Sequence, residues 1–142
     1  MNYDDFLKIP RGCPFCNTPK SEIIAENEHA FITFSLSPYH KDHILVLPKR
    51  HIEKILDIKS AEEDDVYALI RKAMKMLHRL GYKDLSVLVR DGDDSMKTVS
   101  HMHYNIIPNT RLGDIDHQGK KRMILTKEAA EAMCKRIKAV AS

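Results

Sequence analysis

The chain has 142 residues, of which 43% are hydrophobic and 30% charged, and its formal net charge at pH 7 is +3. This length predicts a single domain over residues 1–142, and the lack of an apolar run near roughly 20 residues predicts a soluble protein that does not enter membranes. So small a charge excludes the broad basic surface of a nucleic-acid-binding protein, but it permits a small anionic ligand.

The amino-terminal part predicts a cysteine knuckle followed by three strands. MNYDDFLKIPRG lacks the basic start and apolar centre of a secretory signal, so we expect the chain in the cytoplasm. After the motif CPFC come two β-rich runs, SEIIAEN (21–27) and HAFITFSL (29–36), separated by a polar turn. ILVLP (44–48) is apolar throughout, which predicts a strand buried on both faces and ended by Pro48.

A long helix is predicted after a short helical turn in HIEKILDI (51–58). Over residues 60–80, apolar side chains recur every three or four positions, as they do on the buried face of a helix. Ser60 and Glu63 are spaced as a capping box at its start, and Gly81 is placed to end it. We expect this helix to lie on one face of a sheet.

The remaining elements are two strands and a closing helix. DLSVLVRD (84–91) and SHMHYNII (100–107) are predicted strands joined by a polar loop, and TKEAAEAMCKRIKAV (126–140) is a predicted helix capped by Thr126. Runs of strands with one long inserted helix predict an α+β fold with a mainly antiparallel sheet of about five strands.

The stretch HMHYNIIP carries polar residues at alternate positions. On a strand, His101, His103 and Asn105 would face one side while their neighbours face the other. Taken alone, the pattern is equally consistent with a solvated sheet face. If His101 has a structural role, His103 stays available as an imidazole nucleophile toward phosphorus.

The CPFC motif predicts half of a structural zinc site, because Cys-x-x-Cys supplies two of the four ligands that zinc requires. Among the eight histidines, the two best placed follow or begin predicted strands. Reduced buried cysteines and a thioredoxin-like redox pair are the alternatives, but no βαβ pattern surrounds the motif, as the redox pair requires. The predicted ligands are Cys13, Cys16, His51 and His101.

The combination of CPFC, SPYHKDHILVLPKRH and SHMHYNIIP resembles the histidine-triad (HIT) superfamily of nucleotide hydrolases and transferases, over most of residues 13–108. The family signature is His-φ-His-φ-His-φ-φ, preceded by a leucine-valine-x-proline-lysine-x-histidine run that ILVLPKRH matches. The resemblance implies a HIT-like fold, a homodimer, and His103 as the nucleophile that forms a covalent nucleotidyl-histidine. In zinc-bearing branches of the family, the ligands correspond to Cys13, Cys16, His51 and His101.

The third triad position is Asn105, so this chain has the variant triad His-x-His-x-Asn. It is similar in this respect to the transferase branch related to galactose-1-phosphate uridylyltransferase, where glutamine stands. An amide can donate to a phosphate oxygen, but it cannot carry a proton at neutral pH as histidine does. Thr98 retains a hydroxyl where the family assists the leaving group.

Four further positions are implied to bind the nucleotide. Arg90 and Lys97 stand where the family has neutral amides, which implies a substrate with extra negative charge. The alternative is a solvated basic pair neutralised by the acidic residues of the same loop. Ser35 aligns with the ribose-binding position and Leu36 lies near the residues that enclose the base.

Three functions are open at this point. The first is a nucleotide hydrolase or nucleotidyltransferase that acts on a small molecule such as a nucleoside phosphoramidate or a dinucleoside polyphosphate. The second is a nucleotide-binding or regulatory protein that has lost turnover. The third is a metal hydrolase in which His101, His103 and Asp91 share a catalytic metal.

Overall fold

The computed structural model describes residues 1, 2, 5, 8, 12–92, 99–110 and 123–140. It divides into two compact units, Met1–Arg111 and Leu112–Ser142, which are described separately. A single domain over residues 1–142 remains a prediction.

The first unit contains a five-stranded sheet in which every neighbouring pair is antiparallel. The strands are β1 (Ala25–Glu26), β2 (Ala30–Phe34), β3 (Ile44–Pro48), β4 (Leu85–Val89) and β5 (Tyr104–Pro108). Their order across the sheet is β1-β2-β3-β5-β4, so β3 is central and β4 is an edge. The predicted α+β fold is confirmed, and β3 has the bounds of ILVLP with all its residues buried.

The predicted start of the last strand is wrong, because β5 begins at Tyr104 and leaves His101 and His103 in the segment before it. The backbone N–H of Met102 donates to the carbonyl of Ile52 at 2.7 Å, instead of to a neighbouring strand. The two histidines are therefore placed by loop contacts. Strict strand alternation applies only from Tyr104 onward.

Helix α1 spans Ser60–Arg79, close to its predicted bounds, but the predicted capping box is wrong by one residue. Ser60 is already helical, so the cap position falls on Lys59, whose backbone N–H donates to the Glu62 carboxylate at 3.0 Å. Glu63 does not take this role. The cap moves because Glu62, and not its neighbour, is buried at the start of the helix.

The end of α1 agrees with the prediction. Gly81 has φ +100°, a left-handed conformation that favours glycine. Its N–H donates to the carbonyl of His78 at 2.9 Å, and the N–H of Tyr82 donates to Leu77 at 3.2 Å. These bonds satisfy carbonyls that the last helical turn would otherwise leave unpaired.

Two apolar clusters cover the two faces of the sheet. The first joins α1 to β2, β3 and β5, and includes Ile32, Val46, Val66, Leu77 and Ile106. The second lies on the opposite face and packs the CPFC segment against β2 and β3; its buried members are Phe15, Phe31, Leu45, Leu47 and Val99. This second cluster is what holds the knuckle against the sheet.

In the second unit, helix α2 spans Lys127–Lys138. The Thr126 hydroxyl accepts a hydrogen bond from the Ala129 N–H at 3.2 Å, so the predicted cap is confirmed. Within the described residues, neither helix combines the length and the apolar character needed to cross a membrane.

Candidate functional site

Four cysteine and histidine side chains converge beside the amino-terminal knuckle. Cys13, Cys16, His51 and His101 each direct one ligand atom to a common centre, and these atoms all lie within 4.8 Å of one another. The Cys13 sulfur lies 3.4 Å from His101 Nδ1, and the Cys16 sulfur lies 3.3 Å from His51 Nδ1 and 3.6 Å from His101 Nδ1. The four residues predicted as ligands are thus brought together from three separate segments.

The spacing of these atoms fits a tetrahedral zinc ion. Bonds of about 2.0–2.3 Å to nitrogen and sulfur place neighbouring ligand atoms about 3.3–3.8 Å apart. The three sulfur–nitrogen separations, 3.3, 3.4 and 3.6 Å, lie in that interval. Two thiols and two imidazoles are also a donor set that zinc prefers. The cluster could therefore hold a metal ion.

The outer ring nitrogens of both histidines are oriented by acceptors. His101 is fully buried, and its Nε2–H donates to the Pro48 carbonyl at 2.8 Å. His51 Nε2 lies 3.2 Å from the Glu53 carboxylate. A proton on Nε2 leaves the lone pair on Nδ1, which points at the sulfurs, and such outer partners are typical of metal-binding histidines.

The cysteine pair is unfavourable as two thiolates without a cation. Desolvation raises the pKa of the Cys16 thiol, and hydrogen bonding and Coulomb repulsion from Cys13 raise it further. A bound divalent ion would offset this effect, since zinc ligation deprotonates a coordinating thiol.

The segment that carries His51 is attached to α1 by an ion pair. Arg50 donates from two guanidinium nitrogens to the two carboxylate oxygens of Glu62, at 2.9 and 2.7 Å, and also to the Asp57 carbonyl at 3.2 Å. The hydrogen bonds from Arg50 hold the pKa of Glu62 at about 2, against an ordinary value of 4.5, although burial opposes them. The fork geometry limits how far the neighbouring His51 can move.

The imidazole of His103 lies directly beside this cluster and is half-buried. Its Nδ1–H donates to the carbonyl of His101 at 2.8 Å, which places the lone pair of the neutral ring on Nε2. The ring also contacts Phe15, with ring centres 5.5 Å apart. Phe15 in turn meets the His101 ring edge-on, at 5.9 Å and 87°.

Asn105 is held by a buried histidine on the adjacent strand segment. Its amide oxygen lies 3.0 Å from His43 Nε2, and its Nδ2 donates to the Leu88 carbonyl at 3.1 Å. The Nδ1 of His43 accepts the backbone N–H of Tyr39 at 3.2 Å, so the proton of the neutral ring is on Nε2 and donates to Asn105.

His43 is kept neutral by its surroundings. Burial lowers its pKa below the ordinary 6.5, and the nearby imidazoles of His103 and His40 lower it further, against the opposing effect of the Asn105 hydrogen bond. The Tyr39 ring stacks on the imidazole, at 5.8 Å and an angle of 13°. The pair His43–Asn105 is therefore a fixed, uncharged arrangement.

Of the other predicted site residues, three lie within the described part of the chain and two lie outside it. Ser35 is half-buried and donates its backbone N–H to the His43 carbonyl at 3.2 Å, whereas Leu36 is 46% exposed. Arg90 is half-buried just after β4. Lys97 and Thr98 lie outside the described residues.

Sequence reasoning missed three residues that shape the site. Phe15, the central aromatic residue of CPFC, touches both imidazoles, and Tyr39 orients His43. Glu53 orients His51 from two positions away. Of these residues, Phe15 carried a signal in the sequence, because phenylalanine is among the residue types most often buried.

The chain is similar to a known domain family and to several characterised proteins. Residues 17–112 match a family model described as the HIT domain. A nitrilase and fragile histidine triad fusion protein of Caenorhabditis elegans is 33% identical over 99 residues, which are 69% of this chain and only 22% of that protein. An adenosine 5′-monophosphoramidase of Schizosaccharomyces pombe is 30% identical over 101 residues, 68% of this chain and 74% of the relative.

A solved structure supports the same placement. The crystal structure of a HIT family member from Bacillus subtilis superposes with a TM-score of 0.71, at 23% identity, over 93% of this chain and 99% of that one. At this identity the likeness establishes the fold alone. Together with the match of the family model over residues 17–112, it shows that the chain belongs to the HIT domain family.

Proposed function

We propose that this chain is a nucleotide hydrolase or nucleotidyltransferase that works through a covalent nucleotidyl-histidine on His103. The observation that carries the proposal is the 2.8 Å hydrogen bond from His103 Nδ1 to the carbonyl of His101. It selects the tautomer in which Nε2 holds the lone pair, and a neutral imidazole oriented in this way is suited to attack phosphorus.

The reaction has two in-line steps. His103 Nε2 attacks the α-phosphorus of the substrate, a nitrogen–phosphorus bond forms, and the bond from phosphorus to the leaving group breaks as that group takes up a proton. Water, or an acceptor phosphate in the transferase case, then attacks the same phosphorus and releases His103. Two displacements retain configuration at phosphorus, and most of the catalysis is positioning and charge stabilisation.

Asn105 is the proposed donor to a non-bridging phosphate oxygen. One Nδ2–H is directed to Leu88, and the amide group has a second hydrogen to offer. The bond from His43 fixes which end of the amide is the oxygen. Thr98 remains the proposed aid to the leaving group.

The nucleotide-binding roles remain proposals as well. Ser35 and Leu36 would contact the ribose and base, while Arg90 and Lys97 would bind additional negative charge on the substrate. Arg90 is half-buried and directly follows β4, the strand that neighbours β5, and this position is compatible with that role.

The relatives point to a substrate class. One relative is an adenosine 5′-monophosphoramidase, which makes a nucleoside phosphoramidate the first candidate. Such a small substrate fits the net charge of +3. Dinucleoside polyphosphates and nucleotide sugars are the next candidates to test.

We also propose that Cys13, Cys16, His51 and His101 bind a structural zinc ion. With four protein ligands, the ion would cross-link the knuckle to the sheet and leave no open position for a substrate. The second ring nitrogen of His101 is already bonded to the Pro48 carbonyl, and Asp91 accepts the Ile55 N–H at 2.7 Å. This arrangement disfavours a catalytic metal shared by His101, His103 and Asp91.

The second candidate function is nucleotide binding without turnover. Its specific support is Asn105, which lacks a titratable proton and whose oxygen is already bonded to His43. A folded protein that binds nucleotides but forms no product would establish it.

A homodimer is the proposed assembly, and the cytoplasm is the proposed location. Strand β4 is an edge of the sheet, and 44% of Val87 on it is exposed. Beside it lies an apolar groove of about 400 Å³ whose walls include Val66, Ile70 and Tyr104. An open strand edge next to an apolar groove is a surface that a two-fold partner can cover.

The test is a product analysis by chromatography after incubation with adenosine 5′-phosphoramidate, dinucleoside polyphosphates and nucleotide sugars. Wild type should release a nucleoside monophosphate, or transfer it to phosphate, and His103→Ala should lose turnover while its circular dichroism stays unchanged. A well-folded and active His103→Ala protein would rule out the nucleophile assignment. Binding without product would favour the second function.

A further inference from the structure

Phe15 connects the metal-binding knuckle to His103. It lies between Cys13 and Cys16 in sequence and is 9% exposed. On the sheet side it packs in the apolar cluster with Leu45 and Leu47. The residue is therefore fixed at both ends, by the backbone of the knuckle and by the core of the sheet.

The imidazoles of His101 and His103 both contact the phenyl ring of Phe15. The His101 ring meets it edge-on, with centres 5.9 Å apart, and the His103 ring meets it at 5.5 Å and 55°. Edge and tilted contacts of this kind are the favoured geometries between aromatic rings. A proposed metal ligand and the proposed nucleophile are thus packed on one side chain.

The Phe15 contact restrains the His103 ring in addition to its hydrogen bond. The bond from His103 Nδ1 to the His101 carbonyl holds one edge of the ring. His103 also precedes β5, so the strand ladder that starts at Tyr104 does not order its backbone. The phenyl ring packs against the imidazole, so it limits tilting of that ring, which would move Nε2.

We infer that Phe15 is a positioning residue that passes the order of the Cys13–Cys16 knuckle to the His103 imidazole. The inference rests on the proposed function, in which His103 attacks phosphorus. It implies that filling the metal site restrains the nucleophile as well as the fold. Small misplacements of a reacting atom lower rates by one to two powers of ten, so we expect about a tenfold loss of kcat without the ring.

The first variant is Phe15→Leu, which keeps apolar bulk and removes the ring. Leu47→Val is the matched control, because Leu47 is fully buried in the same cluster but has no aromatic ring. Phe15→Tyr retains the ring and should restore most of the activity. If Phe15→Leu does not fold, Phe15→Met replaces it.

Three readouts separate positioning from a structural role. We expect Phe15→Leu to bind as much zinc as wild type and to hydrolyse adenosine 5′-phosphoramidate with kcat about tenfold lower and KM unchanged. Leu47→Val should keep kcat within about twofold at a comparable loss of stability. In long-range 1H–15N spectra, the His103 signals, assigned by their absence in His103→Ala, should move or broaden in Phe15→Leu and in wild type stripped of zinc.

Several results would overturn the positioning role of Phe15. Wild-type kcat and unchanged His103 signals in Phe15→Leu overturn the inference, as does an equal loss of kcat in Leu47→Val. Loss of zinc from Phe15→Leu also overturns it, because the effect would then arise in the metal site. If wild type turns over no substrate, the proposed function fails separately, and the spectra alone decide: altered His103 signals support the positioning role and unchanged signals refute it.

Discussion

Replacing Glu62 by glutamine removes one charge from the ion pair that attaches the His51 segment to α1, while the side-chain shape is kept. The Arg50 guanidinium contacts both carboxylate oxygens, at 2.9 and 2.7 Å, and the Glu62 side chain is 6% exposed. These hydrogen bonds hold the pKa of Glu62 at about 2, from an ordinary value of 4.5. The variant therefore tests how much the pair stabilises the folded state.

The pKa sets an upper limit on that stabilisation. The difference between 4.5 and about 2 corresponds to at most about 3.4 kcal/mol, at about 1.4 kcal/mol for each tenfold change in acidity. The Arg50 side chain is 45% exposed, so water screens the interaction. We expect Glu62→Gln to lower the free energy of unfolding at pH 7 by about 1–2 kcal/mol.

The sign of the pH dependence follows from the direction of the change. The folded protein binds the Glu62 proton more weakly than the unfolded chain does, so the stabilisation is complete above about pH 4.5. It is lost as the pH falls from about 4.5 through about 2, because the carboxylate is protonated in both states only below both pKa values. The difference between wild type and Glu62→Gln should shrink over the same interval.

Urea denaturation followed by circular dichroism measures this difference at each pH. Comparison with wild type removes effects that both proteins share, including metal release. Asp64→Asn is the matched control: it removes an exposed charge from the same helical turn and should cost no more than about 0.5 kcal/mol. If Glu62→Gln lowers the free energy of unfolding by less than about 0.5 kcal/mol at pH 7, or by the same amount at pH 2, the Arg50–Glu62 pair does not stabilise the fold as proposed.

Three further predictions concern the site itself. Cys13→Ser should reduce bound zinc to near zero and lower the melting temperature, as measured by a colorimetric zinc assay and a thermal scan; full zinc occupancy would contradict the ligand set. Asn105→Ala should lower the free energy of unfolding by about 1–3 kcal/mol in urea, because the buried His43 Nε2–H loses its acceptor; an unchanged midpoint would count against that bond. The His43 ring signals should titrate below pH 6.5 in an NMR pH series, because burial lowers the pKa, and a midpoint at or above 6.5 would contradict the buried, neutral ring.

Elements that are determined by the residue types of their own segment could be predicted from the sequence. ILVLP became β3 with unchanged bounds, since an entirely apolar run that ends in proline has few other places in a fold. Gly81 ended α1 because the left-handed conformation at φ +100° favours a residue without a side chain. The cluster that could hold a metal was predicted correctly because few residue types bind zinc, even though the chain separates Cys13 from His101 by 88 positions.

The bounds of two elements could not be predicted, because they depend on long-range hydrogen bonds. The start of β5 moved to Tyr104 because the Met102 N–H bonds to Ile52, a partner that strand periodicity does not reveal. The cap of α1 falls on Lys59, whose N–H donates to Glu62, and that carboxylate is also bonded to Arg50 from a segment outside the helix. In both cases a tertiary contact outweighed a local pattern.

Detection of the covalent intermediate is the most direct test of His103 as the nucleophile. Wild type is mixed with adenosine 5′-phosphoramidate, quenched in alkali to preserve a nitrogen–phosphorus bond, digested and analysed by mass spectrometry. We expect one adenylyl group on the peptide that contains His103, and none in His103→Ala. An adenylyl group on a different residue, or turnover by well-folded His103→Ala, would contradict it.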